Sequence, residues 1–243
     1  LKIIELVHRR QVLSEEIGAI KRKKGRPTRD YQREKLVIEL AKSHAKELNV
    51  DPEMVVDLMQ LLIQSSLKTQ ESARVKEEGQ GNGKRALVIG GFGRMGSWFA
   101  EFMSMQGYEV HIADINIQEE DESHFKSWGD TDDNYDITVL ATPLRQSIEI
   151  LENILESGRR GIIFDIASIK SPIKELLKEI SDKGMKVTSI HPMFGPDTDL
   201  LTGKHVVFMN IDSHGTHLEI MKLFESTTAQ MIEMSIDSHD YAI

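Results

Sequence analysis

Three glycines at fixed spacing follow an apolar run near the middle of the chain. The segment Gly91-Phe92-Gly93-Arg94-Met95-Gly96 comes directly after Ala86–Gly90, and the residues from Ser97 to Phe102 have a helical pattern. Between a strand and a helix, this G-x-G-x-x-G spacing is typical of dinucleotide binding. We expect Gly91 to permit the tight turn, Gly93 to let backbone amides approach the pyrophosphate, and Gly96 to let the helix pack closely on the strand.

A carboxylate ends the second apolar run. Glu109–Asp114 places Asp114 about 20 residues beyond the glycines, where an acid can accept a hydrogen bond from a ribose 2′-hydroxyl. Because a 2′-phosphate would face this charge directly, Asp114 favours NAD over NADP as cofactor. Arg94 could instead pair with a phosphate. Thr142, just past the run Ile137–Ala141, either lines the same cleft or starts the next helix.

A histidine begins the segment His191-Pro192-Met193-Phe194-Gly195-Pro196, which follows the apolar run Lys186–Ile190. Open parallel sheets bind ligands beyond the carboxyl ends of their strands. A histidine in that position can accept a hydroxyl proton as hydride leaves a substrate. Ser168, which follows the preceding run, could orient that imidazole or a nicotinamide amide. The structural alternatives are that His191 caps a loop and that Ser168 caps a helix.

Polar side chains interrupt the apolar faces of the first 76 residues. Arg10 falls on the stripe formed by Leu6 and Leu13, and Lys21 lies about three turns further along the same face. On a later helix, Ser66 and Gln70 continue an apolar stripe. Buried polar groups are costly without partners, so this set indicates a pocket for a dianion. The alternative is a set of internal ion pairs, namely Arg33 with Glu34 and Asp30 with Lys21.

The hydrophobic pattern changes at the polar, glycine-rich residues 77–85. Residues 1–78 have helical spacing, which predicts three helices. Three helices form a unit too thin to bury a core alone, so we expect this unit to pair with a second copy. Residues 79–84 are predicted to be a linker. From 85 to 232, short apolar runs alternate with helical stretches, which predicts a Rossmann-type α/β domain with a parallel sheet.

Composition excludes several classes of protein. The net charge of −9 argues against binding to nucleic acid or to a membrane surface, because phosphates would be repelled. The lack of cysteine excludes disulfides and thiolate chemistry and favours the cytoplasm, and no apolar run has the roughly 20 residues that span a bilayer. His205, His214 and His217 have no companion ligands at recognised spacing, so we expect no metal site.

The span from Arg85 to Ile243 resembles the prephenate dehydrogenases. The resemblance is carried by the glycine loop, by Asp165–Lys170 and by the segment that begins at His191. It implies oxidative decarboxylation of prephenate to 4-hydroxyphenylpyruvate with NAD. His191 matches that family's catalytic histidine, and Ser168 matches a serine near the nicotinamide.

The span from Leu1 to Gln70 resembles the all-helical chorismate mutases. The matching residues, in that family's order and spacing, are Arg10, Lys21, Asp30, Arg33, Glu34, Ser66 and Gln70. The resemblance implies rearrangement of chorismate to prephenate without acid–base chemistry. Lys21 and Gln70 would contact the ether oxygen, and Arg10 with Ser66 would help to bind carboxylates. Asp30 and Glu34 would meet the ring hydroxyl or position Lys21 and Arg33.

Two parts of the family sites are expected outside the chain. The mutases also use an arginine from the start of the partner's first helix, and that position precedes Leu1. The dehydrogenases have a C-terminal helical domain, which supplies the dimer interface and an arginine for the substrate carboxylate. His239-Asp240 resembles a pair at the entry to that domain, so residues 233–243 are predicted to begin it.

Together the two resemblances indicate a bifunctional chorismate mutase/prephenate dehydrogenase, because one domain would make what the next consumes. One alternative is a dehydrogenase of the same fold that acts on arogenate. Another is a non-catalytic NAD-binding sensor whose helical segment serves only for dimerisation. Leucine would be preferred at Arg10, Ser66 and Gln70 in a segment with that role alone.

Overall fold

The computed structural model describes residues 1–211 and 215–242, and the chain divides into two compact units, Leu1–Glu77 and Glu78–Ile243. The first unit consists of helices α1 (Lys2–Lys23), α2 (Tyr31–Glu47) and α3 (Pro52–Glu77). Asp30 caps α2, since its carboxylate accepts a hydrogen bond from the backbone N–H of Arg33 at 3.0 Å. The three predicted helices are confirmed.

In the first unit, α1 and α2 each pack on α3. The buried apolar side chains lie mainly on α3, and α1 buries only Ser14 and Gly18. The apolar stripe of α1 stays largely exposed, with Leu6 at 65% and Ile17 at 49%. A single copy of this unit therefore leaves an apolar surface uncovered.

The second unit is built on one sheet with the strand order β3-β2-β1-β4-β5-β6-β7-β8. Its strands are β1 (Arg85–Ile89), β2 (Glu109–Ala113), β3 (His124–Phe125), β4 (Ile137–Leu140), β5 (Ile162–Asp165), β6 (Val187–Pro192), β7 (His205–Asn210) and β8 (Gln230–Ser235). Its helices are α4 (Arg94–Met105), α5 (Leu144–Ser157), α6 (Lys174–Asp182), α7 (Thr216–Glu225) and α8 (Ile236–Ala242).

Strands β3 to β6 run parallel, and crossover helices join several of them. The inner strands β1 and β4 are buried along nearly their whole length, as expected where both faces of a sheet are covered. From β1 the chain first builds toward β3 and then returns to β4 on the other side. This reversal creates a crevice at the carboxyl ends of β1 and β4, where Rossmann-type folds bind ligands.

Four features differ from the prediction, and the first is the two-residue edge strand β3, which was not predicted. β6 extends to Pro192, so His191 lies near the end of a strand and not after it. β7 is antiparallel to β6. β8 was not predicted, and it crosses the expected boundary between residues 232 and 233. It is an edge strand with mostly exposed side chains, so it lacks the apolar run by which the inner strands were found.

Among the described residues, no helix combines the length and the apolar character needed to cross a bilayer.

Candidate active sites

A cavity of about 750 Å³ opens between the three helices of the first unit. Apolar side chains of α1 and α3 form much of its wall. All seven polar residues singled out in the sequence of this unit also line it: Arg10, Lys21, Asp30, Arg33, Glu34, Ser66 and Gln70. The fold thus brings together side chains that are up to 60 positions apart in the sequence, and their chemical roles stay predictions.

Arg10 joins α1 to α3. Its Nε donates to the Ser66 hydroxyl at 3.1 Å and lies 3.4 Å from the Leu62 carbonyl oxygen. The Ser66 hydroxyl in turn donates to the same carbonyl at 2.9 Å. These bonds fix the direction of the guanidinium and leave its two terminal nitrogens without a hydrogen bond to any described residue.

Gln70 is buried, and its Oε1 has no hydrogen-bond partner among the described residues. Gly18 faces it from α1: a Cβ built at Gly18 would lie 2.9 Å from the Gln70 Cγ. The missing side chain at Gly18 therefore provides the space in which the Gln70 Cγ lies. A buried amide oxygen without a partner is costly, and a polar ligand in the cavity would relieve that cost.

The acidic residues of this cavity have partners that the sequence did not predict. Glu34 accepts two hydrogen bonds from Arg29, at 3.0 and 3.1 Å, and not from Arg33. Asp30 is occupied as the α2 cap. Lys21 donates to the Thr28 carbonyl oxygen at 2.5 Å, so neither internal pair weighed from the sequence forms among the described residues. Arg29 was missed, although it directly precedes Asp30.

In the second unit, the glycine loop joins β1 to α4. Gly90, with φ of +84°, has the left-handed conformation, so the position that requires glycine for the turn is Gly90 and not Gly91. At Gly91 a Cβ would lie 2.6 Å from the Ile112 Cγ2, and at Gly96 it would overlap the Gly90 carbonyl oxygen. Gly96 therefore permits the close approach of helix and strand, as predicted.

Asp114 lies directly after β2, beside the loop. One of its carboxylate oxygens accepts from the backbone N–H of Phe92 at 3.0 Å. The other accepts from the backbone and side-chain nitrogens of Asn116, both at 2.9 Å. The carboxylate is thereby held at the carboxyl edge of the sheet, next to the backbone that a dinucleotide would contact.

The loop after β6 is attached to α4. Phe194 packs on Trp98, with ring centroids 4.8 Å apart, and the indole nitrogen of Trp98 donates to the Thr198 carbonyl oxygen at 2.9 Å. On the surface, Arg94 pairs with Asp197 at 2.8 Å. These contacts place the histidine-containing segment beside the glycine loop.

Thr142 also lies near that loop, because a Cβ at Gly90 would be 3.0 Å from the Thr142 Cγ2. Its hydroxyl is 2.9 Å from the Ser147 hydroxyl. Helix α5 begins at Leu144 with Pro143 as its first flanking residue, so Thr142 does not cap it.

His191 is half-buried, and its Nδ1 lies 3.0 Å from the Nε2 of His239. The Nδ1 of His239 lies 2.7 Å from the Asp240 carboxylate. Burial, followed by the electrostatic influence of Lys170 and His239, lowers the pKa of His191 to about 4. The imidazole of His191 is therefore neutral at physiological pH, as a general base must be.

An ion pair lies beneath this histidine and was not predicted. The ammonium group of Lys170, fully buried, donates to Asp165 at 2.9 Å and to the Ile190 carbonyl oxygen at 2.8 Å. Burial lowers the pKa of Lys170, and Asp165 opposes that shift. The pair connects the ends of β5 and β6. Both residues were in the quoted motif, but nothing in the sequence distinguishes a buried lysine from a solvated one.

Ser168 is exposed in the loop after β5 and makes no hydrogen bond to a described residue. It does not cap α6, which begins at Lys174 with Ile173 as the flanking residue. Its predicted role beside the nicotinamide remains a prediction.

In the ranges 1–211 and 215–242, no group of three or more His, Asp or Glu side chains is arranged to hold a metal ion. His217 lies 3.0 Å from Glu233, and His205 begins β7. His214 lies outside the described residues.

The strand order, the glycine loop and the acid after β2 define a Rossmann-type dinucleotide-binding domain. Family models describe the two parts more closely. Chorismate mutase type II matches residues 1–71, and the prephenate dehydrogenase nucleotide-binding domain matches residues 99–233. The chain therefore belongs to the prephenate dehydrogenase nucleotide-binding family, with a first unit that belongs to the type II chorismate mutases.

Individual proteins agree with this assignment. The T-protein of Enterobacter agglomerans is 22% identical over 98% of this chain, which spans 61% of that protein. The chorismate mutase of Methanocaldococcus jannaschii is 31% identical over 35% of this chain and 83% of its own length. Prephenate dehydrogenase from Aquifex aeolicus, solved with hydroxyphenyl propionate and NAD⁺, has a TM-score of 0.53 at 22% identity over 65% of this chain and 62% of its own. That likeness shows the fold.

Proposed function

We propose that the chain catalyses two consecutive reactions of tyrosine biosynthesis. The first rearranges chorismate to prephenate, and the second oxidatively decarboxylates prephenate to 4-hydroxyphenylpyruvate with NAD. The observation that carries this proposal is the union, in one chain, of a chorismate mutase match and a prephenate dehydrogenase match. The product of the first reaction is the substrate of the second.

The first reaction needs no proton or electron from the protein. It needs a cavity that holds the reactive conformer and stabilises negative charge growing on the ether oxygen. We assign two donors to that oxygen, the Lys21 ammonium and the side-chain NH₂ group of Gln70. Lys21 uses one of its three N–H groups on Thr28, which leaves two for a ligand.

The two carboxylates of chorismate require cations on the cavity wall. Arg10 presents its terminal nitrogens there, supported by Ser66. Arg33 lines the same cavity, and its guanidinium makes no hydrogen bond to a described residue. Asp30 caps α2, and Glu34 accepts hydrogen bonds from Arg29. Both carboxylates would keep the cavity wall in place and meet the ring hydroxyl.

The glycine loop fits NAD. Gly93 and Gly96 keep side chains away from the place where backbone amides and the start of α4 would meet a pyrophosphate. We assign Phe92, Met95 and Thr142 to the wall of this cleft, and Asp114 to the ribose hydroxyls. Arg94 would contact a phosphate only after its ion pair with Asp197 breaks. When bound, NAD supplies the hydride acceptor.

His191 is assigned as the general base. Its imidazole would accept the proton of the prephenate ring hydroxyl. At the same time, a hydride would leave the ring carbon that carries this hydroxyl. The C–CO₂⁻ bond then breaks, CO₂ departs, and its electron pair completes the aromatic ring. The proton held by His191 returns to the phenolic oxygen, so the reaction releases no net proton. Ser168 is assigned to hold the nicotinamide amide or the imidazole.

We propose a second copy of the chain as partner. The exposed apolar stripe of α1 lines the mutase cavity, with Ile3, Leu13 and Ile17 each about half exposed or more. A second copy would cover that stripe and close the cavity. Chorismate, prephenate and NAD are soluble metabolites, in keeping with the cytoplasmic location that the sequence favours.

A coupled assay tests the proposal. Chorismate and NAD are supplied to the natural gene product, and chorismate loss and NADH formation are followed separately. His191→Asn should remove NADH formation, by about 10²–10⁴-fold, and leave chorismate loss unchanged. Lys21→Ala should remove chorismate loss by about 10²–10³-fold and leave NADH formation from added prephenate unchanged.

Arogenate is supplied in parallel, because the Methanocaldococcus jannaschii relative named a probable arogenate/prephenate dehydrogenase is 27% identical over 165 residues. If arogenate is turned over faster than prephenate, arogenate is the substrate of the second reaction. Binding of NAD without turnover of any of the three compounds would overturn the enzymatic proposal and leave a sensor in its place.

A further inference from the structure

Asp240 connects α8 to the loop after β5 by hydrogen bonds. One carboxylate oxygen of Asp240 accepts from the backbone N–H of Lys170 at 2.9 Å, and the other accepts from the backbone N–H of Ser171 at 2.7 Å and from the Ser171 hydroxyl. Although burial raises the pKa of Asp240, these hydrogen bonds and that from His239 hold it well below the usual range. Asp240 is therefore a carboxylate at neutral pH.

The same carboxylate determines where His239 carries its proton. His239 is fully buried, and its Nδ1 lies 2.7 Å from Asp240, which accepts only. The Nδ1 of His239 therefore carries hydrogen and donates. In the neutral ring the Nε2 is then an acceptor, and the atom 3.0 Å from it is the Nδ1 of His191.

We propose that Asp240 and His239 are positioning residues that hold His191 in the tautomer protonated at Nδ1, so that its Nε2 is the base. The proposal rests on the dehydrogenase function assigned above. Neither residue touches the substrate in this scheme. Asp240 orients His239, and His239 orients His191, which is the arrangement by which a carboxylate and a histidine prepare a base for proton transfer.

Four groups face His191 and set its charge. Lys170, beneath it, and His239, beside it, disfavour the imidazolium form, whereas Asp165 and Asp240 favour it. Burial also disfavours the imidazolium form, so the His191 ring is neutral. The base is present above its lowered pKa, and activity is lost as the pH falls through that value. Removal of the charge at Asp240 should move this acid limb to lower pH.

The substitution Asp240→Asn tests the proposal, because both oxygens of Asp240 accept hydrogen bonds. The amide that replaces the carboxylate must turn its NH₂ either toward His239, which inverts the tautomer, or toward Ser171, which breaks the attachment of the helix. We expect Asp240→Asn and His239→Gln to lower kcat of the dehydrogenase by about 10²-fold or more, with NAD affinity within about twofold. Asp237→Asn is the matched control on the same helix, since Asp237 pairs only with the surface residues Lys174 and Lys178 among the described residues.

The tautomer is measured directly in the unsubstituted protein by ¹⁵N NMR of labelled histidine. A protonated Nδ1 and a bare Nε2 at His191 support the proposal, and the reverse assignment overturns it, whether or not the variants fold. Wild-type kcat in both Asp240→Asn and His239→Gln would also overturn it. If His191→Asn itself keeps full activity, the dehydrogenase assignment fails instead, so the two failures are distinguishable.

Discussion

The two units solve different chemical problems with different kinds of polar group. In the helical unit, charged and amide side chains line an open cavity, and some, such as Gln70 Oε1 and the Arg33 guanidinium, have no partner among the described residues. In the sheet unit, His191 is connected to His239, and His239 to Asp240. One site leaves polar groups for its ligand to satisfy, and the other orients its histidine by contacts within the protein.

The difference fits the two reactions that we propose. A rearrangement without proton transfer requires only complementary charge at the right places, so a ligand can complete the network. A proton transfer requires one atom with a bare lone pair and a suitable pKa, so the tautomer and the desolvation must be arranged before the substrate arrives. The comparison predicts that like substitutions in the two units have unlike consequences.

Replacement of a lysine by methionine should show the largest contrast. Lys170→Met leaves the Asp165 carboxylate buried without its cation, which should lower the free energy of unfolding by about 3–5 kcal/mol. Lys21→Met removes one hydrogen bond to a carbonyl and should cost about 1 kcal/mol while mutase activity is lost. Urea unfolding measures the free energy of both variants. Tryptophan fluorescence follows Lys170→Met, because Trp98 and Trp128 both lie in the second unit, and far-UV circular dichroism follows Lys21→Met.

Lys178→Met is the control for the first substitution, because Lys178 pairs with Asp237 at the surface and should contribute less than about 1 kcal/mol. Equal destabilisation by Lys170→Met and Lys178→Met would mean that the buried ion pair does not hold the ends of β5 and β6 together.

A methyl group in the glycine loop should have an intermediate effect. At Gly96 it would overlap a backbone carbonyl oxygen, which cannot move without displacing α4 from β1. We expect Gly96→Ala to cost about 1–3 kcal/mol of stability, and NAD affinity to fall at least about tenfold by titration calorimetry. Gly93→Ala is the milder companion, since its Cβ would lie 3.1 Å from the Gly90 carbonyl oxygen. The same affinity loss in both variants would contradict a specific role for helix–strand packing.

The corresponding methyl group in the helical unit should have the smallest effect. Gly18→Ala would press on the flexible Gln70 side chain and not on backbone. The alanine gains about 1 kcal/mol in helix propensity, so stability should be unchanged or higher while mutase kcat falls a few-fold. In a Gln70→Ala background, the Gly18 substitution should have no further effect on kcat. A further loss there would show that Gly18 acts on the cavity by another route.

Much of the architecture was predictable from local pattern. The helical spacing of apolar residues gave α1 to α3, and the alternation of apolar runs gave the inner strands, because burial imposes the period of the element on the sequence. The edge strands β3 and β8 and the antiparallel pairing of β7 were missed. An exposed edge strand leaves little hydrophobic signal, and strand direction depends on the path of the connections and not on the strand itself.

The sequence by itself determined which residue types were available for chemistry: a glycine loop before a helix, an acid after the next strand, a histidine after another, and polar side chains where helices should be apolar. Only the tertiary structure decided their partners. It placed Gly90 in the left-handed turn, joined Glu34 to Arg29, buried Lys170 on Asp165, and brought His239 within 3.0 Å of His191 across 48 positions. The physical reason is that element type depends on neighbours within a few residues, whereas hydrogen-bond partners and desolvation depend on contacts between distant segments.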